Sequence, residues 1–277
     1  MNTNSRLLVV LDFLLLSLLT SCTGTTNNKN APNPMEGVKS MKETVLEASY
    51  RFDTPYFDTT GVATSYFDDN GRITKKVVYD KNGLVSMTTY SYDENTMVCT
   101  EILYSDYRDI QTTTTTTYND NNQPIIERTE EYFGYANDAV VSEKKYEYSE
   151  SGLLLKSSSS NSSTVYEYNE QNLPLHTYHY LDNSLSDTYE YIYNGEQQIE
   201  KEVLSYYDKG EPSFISTTYY EYDDDGRVIK SHTLGALFED TIFTYEYETD
   251  KVGRIIKQTT KRDDRITEIV YFEYSLS

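Results

Sequence analysis

Apolar and polar residues alternate over short runs along most of this chain, which is the pattern of half-buried β-strands. The clearest example is the segment YEYDDDGRVI, which begins with Tyr220 and Tyr222. These two rings should share one strand face, because side chains two residues apart point to the same side. Such runs end in Asn or Asp followed by glycine, as at Asn70-Gly71, where glycine accepts the positive φ of a tight turn. The pattern therefore predicts short strands joined by hairpin turns.

A pair of aromatic residues spaced by two recurs about every 25 residues, which marks an internal repeat. The aromatic residues that mark successive repeats are Phe67, Tyr92, Tyr118, Tyr148, Tyr168, Tyr193, Tyr222, Tyr247 and Tyr274, and all but Phe67 and Tyr118 follow another aromatic by two residues. A second turn lies between neighbouring pairs, as in the segment DKNG that ends at Gly83. Each repeat is therefore predicted to be one β-hairpin, giving an all-β antiparallel meander of about 16 to 18 strands. Residues 38–48 come nearest to a helical period, but we predict a first strand there.

A meander of that length should twist strongly, and a flat sheet would leave both faces in water. We therefore expect a sheet rolled into a spiral or shell, with an OspA-like single-layer sheet as the alternative. The glutamate between the two tyrosines of a pair should lie on the opposite, solvated face; these residues are Glu147, Glu167, Glu221 and Glu246. The last strand, with Phe272 and Tyr274, is expected to be an exposed edge open to pairing with another chain.

Residues 1–21 are predicted to be a lipoprotein signal peptide. Arg6 gives a positive start, and the apolar run that follows is too short to span a bilayer as a helix. The run ends in LTSC, which resembles the bacterial lipobox and implies cleavage before Cys22 and lipid attachment to its thiol. Thr23 stands where Asp would imply retention in the inner membrane, so the resemblance implies an outer-membrane lipoprotein facing the periplasm or the cell surface.

The mature chain is predicted to have two parts. Residues 22–37 lack apolar periodicity and are rich in Asn, Thr and Pro, as in a flexible tether. Residues 38–277 form the repeat domain. The tether and the lipid at Cys22 would hold this domain at a membrane.

The mature chain is strongly acidic and rich in tyrosine. Its formal net charge stays at −21, because the signal peptide contains one cation and one anion. Such a charge repels phosphate backbones and argues against nucleic-acid binding. The chain has 29 Tyr, 9 Phe and no Trp, and tyrosine can bury its ring while its hydroxyl stays in water, which suits half-exposed sheet faces.

The repeat resembles that of the YD-repeat (RHS-like) family, whose hallmark is Tyr-x-Tyr-Asp-x-x-Gly-Arg followed by an aliphatic residue. Residues 220–229 match this motif almost completely, residues 65–73 and 245–256 match in part, and the resemblance extends over about residues 62–274. The chain is similar to short YD-repeat lipoproteins of Bacteroidetes-type bacteria. Long members of the family enclose a toxin, and that role is not carried over, because no toxin segment is recognisable here.

No catalytic, metal or cofactor site is predicted. His176 and His179 should face opposite sides of a strand and cannot act together on a metal. The start of a calcium loop at Glu221 lacks its final glutamate, since His232 stands there. Ser142 and Lys145 have an acyl-enzyme spacing that needs a helix, whereas a strand separates them. Cys99 has no partner if Cys22 is lipidated, and is predicted to be a buried, inert thiol.

The sequence therefore predicts a non-enzymatic, lipid-anchored envelope protein with a binding or scaffolding role, whose partner would be an envelope protein or a glycan. The alternative is a glycan-binding lipoprotein that uses a tyrosine-lined sheet face, and a hydrolase is a more remote one. The candidate binding surface consists of the rings of Tyr166, Tyr168, Tyr191, Tyr193, Tyr220, Tyr222, Tyr245 and Tyr247.

Overall fold

The computed structural model describes residue 35 and residues 37–104, 109–133, 139–235 and 240–276. The predicted signal peptide, Cys22 and nearly all of the predicted tether lie outside the described residues. Among the described residues, no helix is long and apolar enough to cross a membrane.

Eighteen strands follow one another in the described part of the chain, in agreement with the predicted number and with a strand rather than a helix at residues 38–48. In order they are β1 (Val38–Arg51), β2 (Thr54–Phe67), β3 (Ile73–Asp80), β4 (Gly83–Asp93), β5 (Thr96–Leu103), β6 (Ile110–Tyr118), β7 (Pro124–Phe133), β8 (Val140–Tyr148), β9 (Leu154–Ser158), β10 (Ser162–Tyr168), β11 (Pro174–Leu181), β12 (Ser184–Tyr193), β13 (Ile199–Asp208), β14 (Glu211–Tyr222), β15 (Val228–Gly235), β16 (Thr241–Thr249), β17 (Ile255–Arg262) and β18 (Arg265–Leu276).

The meander closes into a β-barrel, because β1 pairs antiparallel with β18 as well as with β2. Met41 of β1 lies opposite Tyr274 of β18, and Glu43 lies opposite Phe272. The expectation of an exposed edge at Phe272 and Tyr274 was therefore wrong: the backbone groups of that strand are used by β1. Neither an open spiral nor an OspA-like single layer is confirmed.

Irregularities in register at both ends of the strands help the sheet to curve. A β-bulge separates Glu221 and Tyr222 of β14 in their pairing with β15, and another separates Tyr206 and Tyr207 of β13 in their pairing with β14. Bulges bend the strand and increase its right-handed twist, and they are common at barrel rims. Repeated in hairpin after hairpin, they allow the two ends of the meander to meet.

The two faces of the barrel wall differ in burial and in chemistry. A buried core cluster lies on one face near the β1–β18 seam: Met41, Val45, Ala63, Val78, Val270 and Phe272. Tyr274 packs against this cluster, and cross-strand register places the other tyrosine pairs on the same face. This is the inner face. The glutamates inside the pairs lie on the outer face and are exposed, as predicted from the alternation: Glu147, Glu167, Glu221 and Glu246.

A carboxyl group lies inside the apolar core cluster. Glu43 of β1 is 1% exposed and lies between Ala63 of β2 and Phe272 of β18 in the sheet. No described residue hydrogen-bonds its Oε2 atom. Burial raises the pKa of Glu43 to about 7, although the charge of Lys76 opposes this shift. The buried surroundings of Glu43 at the seam of the barrel therefore disfavour the ionised form of its carboxyl.

Glu43 should make barrel stability depend on pH. The folded barrel holds the Glu43 proton more tightly than the unfolded chain, where the carboxyl titrates near 4.5. The free energy of unfolding should therefore fall as pH rises from about 4.5 to about 7, by roughly 3 kcal/mol, and level off above that range. Glu43→Gln should remove this loss and unfold at a higher temperature than the wild type at pH 8.

Thermal unfolding followed by circular dichroism between pH 5 and pH 8 measures the effect. Glu273→Gln is the matched control, because Glu273 neighbours Phe272 on β18 but points outward to Lys42. An unchanged pH profile in Glu43→Gln would contradict the assignment.

Candidate functional site: the turn rim and its cavity

Five-residue turns lead from even-numbered strands to the following odd-numbered strands at one rim of the barrel. In the first of these turns, Asp68 Oδ1 accepts hydrogen bonds from the backbone N–H groups of Asn70 and Arg72, both at 2.9 Å. Equivalent turns, called rim turns below, begin at Asn119, Ser149, Asn169, Asn194, Asp223 and Asp250. A short polar side chain that bonds to its own following backbone is the reason Asp, Asn and Ser start them.

The fourth residue of each rim turn has a positive φ. Gly71 and Gly226 adopt +75° and +78°, as predicted for Asn70-Gly71 and its counterpart in the repeat. Asn172 and Gln197 take the same role at 62° and 63°. Asn tolerates this conformation better than most residues, whereas Gln at this position carries strain.

The fifth residue of a rim turn connects one repeat to the next. Arg227 pairs with Asp223 of its own turn at 2.7 Å, and its guanidinium lies 5.3 Å from the ring centroid of Tyr247 in the following repeat. Arg72 over Tyr92 and Arg254 over Tyr274 repeat this arrangement. Each of these arginines therefore acts as a clasp, combining an ion pair with a cation–π contact.

An amide clasp replaces the ionic one in two rim turns. Asn119 donates to Gln123 within its turn, and Gln123 Nε2 donates to the carbonyl of Gly152 in the next rim turn at 2.7 Å. Gln198 bonds Asn194 in the same way, and its amide nitrogen lies 3.3 Å from the position a β-carbon at Gly226 would take. Asp with Arg and Asn with Gln are thus two pairs within a turn that hold the fifth residue against the next repeat.

The second tyrosine of each pair secures the neighbouring strand through its hydroxyl. Tyr193 donates to the carbonyl of Pro174 at 2.6 Å, and Tyr222 donates to the carbonyl of Ile199 at 2.8 Å. Tyr92, Tyr148, Tyr168, Tyr247 and Tyr274 do the same with the first residue of their partner strands. Each of these hydroxyls supplies a hydrogen-bond donor to a carbonyl at the start of the partner strand.

A cavity of about 480 Å³ opens between the rim turns that begin at Asn169 and Asn194. Its apolar lining consists of Leu173, Leu175, Tyr191, Ile192 and Tyr193. The amide residues Asn169, Gln171, Asn194 and Gln197 complete the lining, which contains no charged residue. Glu202 lies opposite Tyr191 on β13 behind this lining, and burial raises the pKa of its carboxyl.

The structure divides the eight predicted surface tyrosines into two groups. The rings of Tyr166, Tyr168, Tyr191, Tyr193, Tyr220, Tyr222, Tyr245 and Tyr247 are all half-buried on the inner face. Four of them, Tyr168, Tyr193, Tyr222 and Tyr247, use their hydroxyls on backbone carbonyls. They do not form one continuous exposed platform, and only Tyr191 and Tyr193 line the cavity.

The sequence pattern did not identify Leu173, Gln171 or Gln197 as site residues. The signal for them lies in the alignment of the rim turns, whose fifth residue is Arg or Gln at five positions but leucine at Leu153 and Leu173. The cavity is therefore found from Leu173, which stands where most rim turns have Arg or Gln, and not from a sequence motif.

The other candidate groups have structural surroundings. His176 contacts Glu167 on the outer face, and His179 contacts Thr164 on the inner face, so the two histidines lie on opposite sides as predicted. Burial raises the pKa of the Cys99 thiol, which is partly exposed rather than fully buried. Asp225 pairs with Arg227 at 2.7 Å. Within the described ranges, no group of three or more His, Cys, Asp or Glu is placed to hold a metal ion.

No protein-family model and no curated protein matches this chain. Among solved structures, a porin-like protein from Bacteroides uniformis aligns with a TM-score of 0.44 and 12% identity, over 87% of this chain and 98% of that chain. A porin-like protein from Bacteroides vulgatus aligns with a TM-score of 0.40 and 10% identity, over 86% of this chain and 98% of that one. The TcdB2-TccC3-Cdc42 structure aligns with a TM-score of 0.20 and 11% identity, over 83% of this chain and 18% of that one.

Tyr222→Phe should destabilise the barrel by about 1 kcal/mol, because it leaves the carbonyl of Ile199 without its hydroxyl donor. Urea unfolding followed by circular dichroism measures the change in the free energy of unfolding. Tyr79→Phe is the matched control: Tyr79 is 46% exposed and makes no side-chain hydrogen bond within the described residues. Equal stabilities of the two variants would contradict the role given to the second tyrosine.

Proposed function

We propose that this chain is an outer-membrane lipoprotein whose barrel lies in water beside the membrane and serves as a non-catalytic binding or scaffolding module of the cell envelope. The observation that carries the proposal is the charged outer face of a closed barrel. The lipobox-like LTSC ending at Cys22 supplies the attachment that such a barrel would need, and the proposed tether separates the two.

The outer face has the chemistry of a surface in contact with water. Lys230 pairs with Glu221 at 2.6 Å, and Lys257 pairs with Glu248 at 2.6 Å, across neighbouring strands. A membrane-spanning barrel presents an apolar band to lipid, where a lysine costs about 2 to 4 kcal/mol at the midplane and less toward the rims. Cross-strand rows of charge on the outer face therefore favour a barrel outside the hydrocarbon layer.

Strand length supports the same position. β9 has 5 residues, from Leu154 to Ser158, which extend over roughly 17 Å at about 3.3 Å per residue. The apolar band of a membrane-spanning barrel is about 25 Å tall, so this strand is too short to cross it. The wall at β9 fits a soluble barrel.

A binding role is favoured over a catalytic one by the lining of the cavity between the rim turns. The cavity between two rim turns is lined by amides and apolar groups rather than by ionisable side chains that could transfer protons. A glycan-binding role is the second candidate function, and the neutral lining of this cavity favours it.

Cys22→Ser in the full-length chain should release the protein from the membrane fraction, because the anchor, and not the barrel, holds it there. Labelling with a clickable palmitate analogue and fractionation of cells expressing either chain measure attachment and location. Wild-type protein should be labelled and sediment with outer membranes, while the variant should be unlabelled and soluble in the periplasm.

Glu221→Gln, which alters the outer face and keeps the lipobox, is the matched control and should fractionate like the wild type. A Cys22→Ser protein that stays in the membrane and needs detergent for extraction would contradict a barrel in water, and would indicate insertion of the barrel itself.

A further inference from the structure

We propose that the cavity between the rim turns beginning at Asn169 and Asn194 binds a neutral sugar residue of an envelope or environmental glycan. The inference rests on the proposed binding role of the barrel and gives it a site and a ligand class. It does not depend on the lipid anchor.

The cavity lies at one of the two rim turns that lack an inter-repeat clasp, the turn that ends in Leu173. In five rim turns the fifth residue is Arg or Gln, and contacts described above connect Arg72, Gln123, Arg227 and Arg254 to the following repeat. In the turn beginning at Asn169 this residue is Leu173, which can neither pair with its own turn nor reach a polar group in the next. The space that a longer side chain would fill is left open.

Polar groups not used by the fold converge on this space. Asn169 Oδ1 accepts from the backbone of its own turn, at 3.0 Å from the nitrogens of both Gln171 and Leu173, while its Nδ2 has no partner among the described residues. The side-chain amides of Gln171 and Gln197 likewise have no hydrogen-bond partner in the described part of the chain. Each amide offers donors and an acceptor, which matches the mixed donor and acceptor character of sugar hydroxyls.

Sugar recognition needs apolar surface as well as hydrogen-bonding groups, and the apolar lining supplies it. The rings of Tyr191 and Tyr193 lie on one strand with Leu173 and Leu175 beside them, so apolar groups and free amides lie around the same space. Tyr193 is held in place by its hydroxyl bond to Pro174, and Tyr191 stacks on Tyr189 with centroids 6.3 Å apart. Rings fixed before binding lose little conformational entropy when a ligand packs on them.

Charge selects among glycans. The lining is neutral, whereas the chain carries a formal charge of −21 and exposed carboxylates occupy both flanking turns at Glu170 and Glu196. An anionic sugar would meet repulsion without a compensating cation in the lining. A cavity of about 480 Å³ is within the usual size of small-ligand sites and accommodates one or two sugar rings.

The test measures binding of neutral hexasaccharides to the full-length protein. Isothermal titration calorimetry in an amine-oxide detergent, which has no sugar headgroup, is carried out with maltohexaose, cellohexaose and xylohexaose, and with hexagalacturonate as the anionic probe. At least one neutral probe should bind, and hexagalacturonate should bind at least about tenfold more weakly.

The decisive variant restores the missing clasp. Asn169→Asp combined with Leu173→Arg recreates the Asp223 and Arg227 pair of the other repeat and fills the cavity, so it should abolish binding and leave thermal stability equal or higher. Ser149→Asp combined with Leu153→Arg makes the corresponding change in the preceding rim turn and should keep wild-type affinity. Gln171→Ala, which alters an exposed turn side chain, should weaken binding about threefold to tenfold.

Binding that survives the restored clasp, or that Ser149→Asp combined with Leu153→Arg reduces equally, would overturn the assignment of the site. Absence of heat with all three neutral probes, or equal affinity for hexagalacturonate, would overturn the ligand class. None of these results bears on the proposal of a lipid-anchored barrel in water, which the fractionation of the Cys22→Ser variant tests separately.

Discussion

Backbone pairing between the first strand and the last is the constraint on which this structure depends. Without the hydrogen bonds of β1 to β18, the meander would be a long sheet with two open edges and no interior. Closure creates the inner face, and that face buries the core cluster around Val45 and Val270. The half-buried tyrosines elsewhere follow from the same geometry, because a wall of short strands has only one protected side.

Much of this architecture can be predicted from local sequence patterns. Alternation and turn chemistry predict hairpin repeats, and the structure has them with the expected number of strands. Alternation also predicts the exposure of Glu221 and the opposite orientation of His176 and His179, because these depend only on strand geometry. The pairing of the first strand with the last could not be predicted in this way. It depends on twist added by bulges over many hairpins, and the contact between Lys42 and Glu273 joins positions 231 residues apart.

The candidate site was less accessible to sequence reasoning than the fold. Tyrosine pairs suggested a binding platform, but half of these rings serve the neighbouring backbone, as Tyr222 does with Ile199. The cavity was missed because leucine at position 173 looks ordinary until it is compared with Arg227 in the same place of another repeat. Leu173 matters because it cannot make the contact with the following repeat that Arg227 makes.

Closure through the chain ends also limits how such a barrel can change in size. β1 and β18 run antiparallel, and in an up-and-down meander this requires an even number of strands. Gain or loss of one strand would bring the terminal strands together in parallel and change the hydrogen-bond pattern of the seam, whereas duplication of a whole hairpin preserves their direction. The rim turns and clasps repeat with that same unit, so a duplicated hairpin arrives with its own connections. The antiparallel seam is therefore kept when the barrel grows or shrinks by complete repeats, and a copy that loses its clasp becomes a place where a new pocket can form.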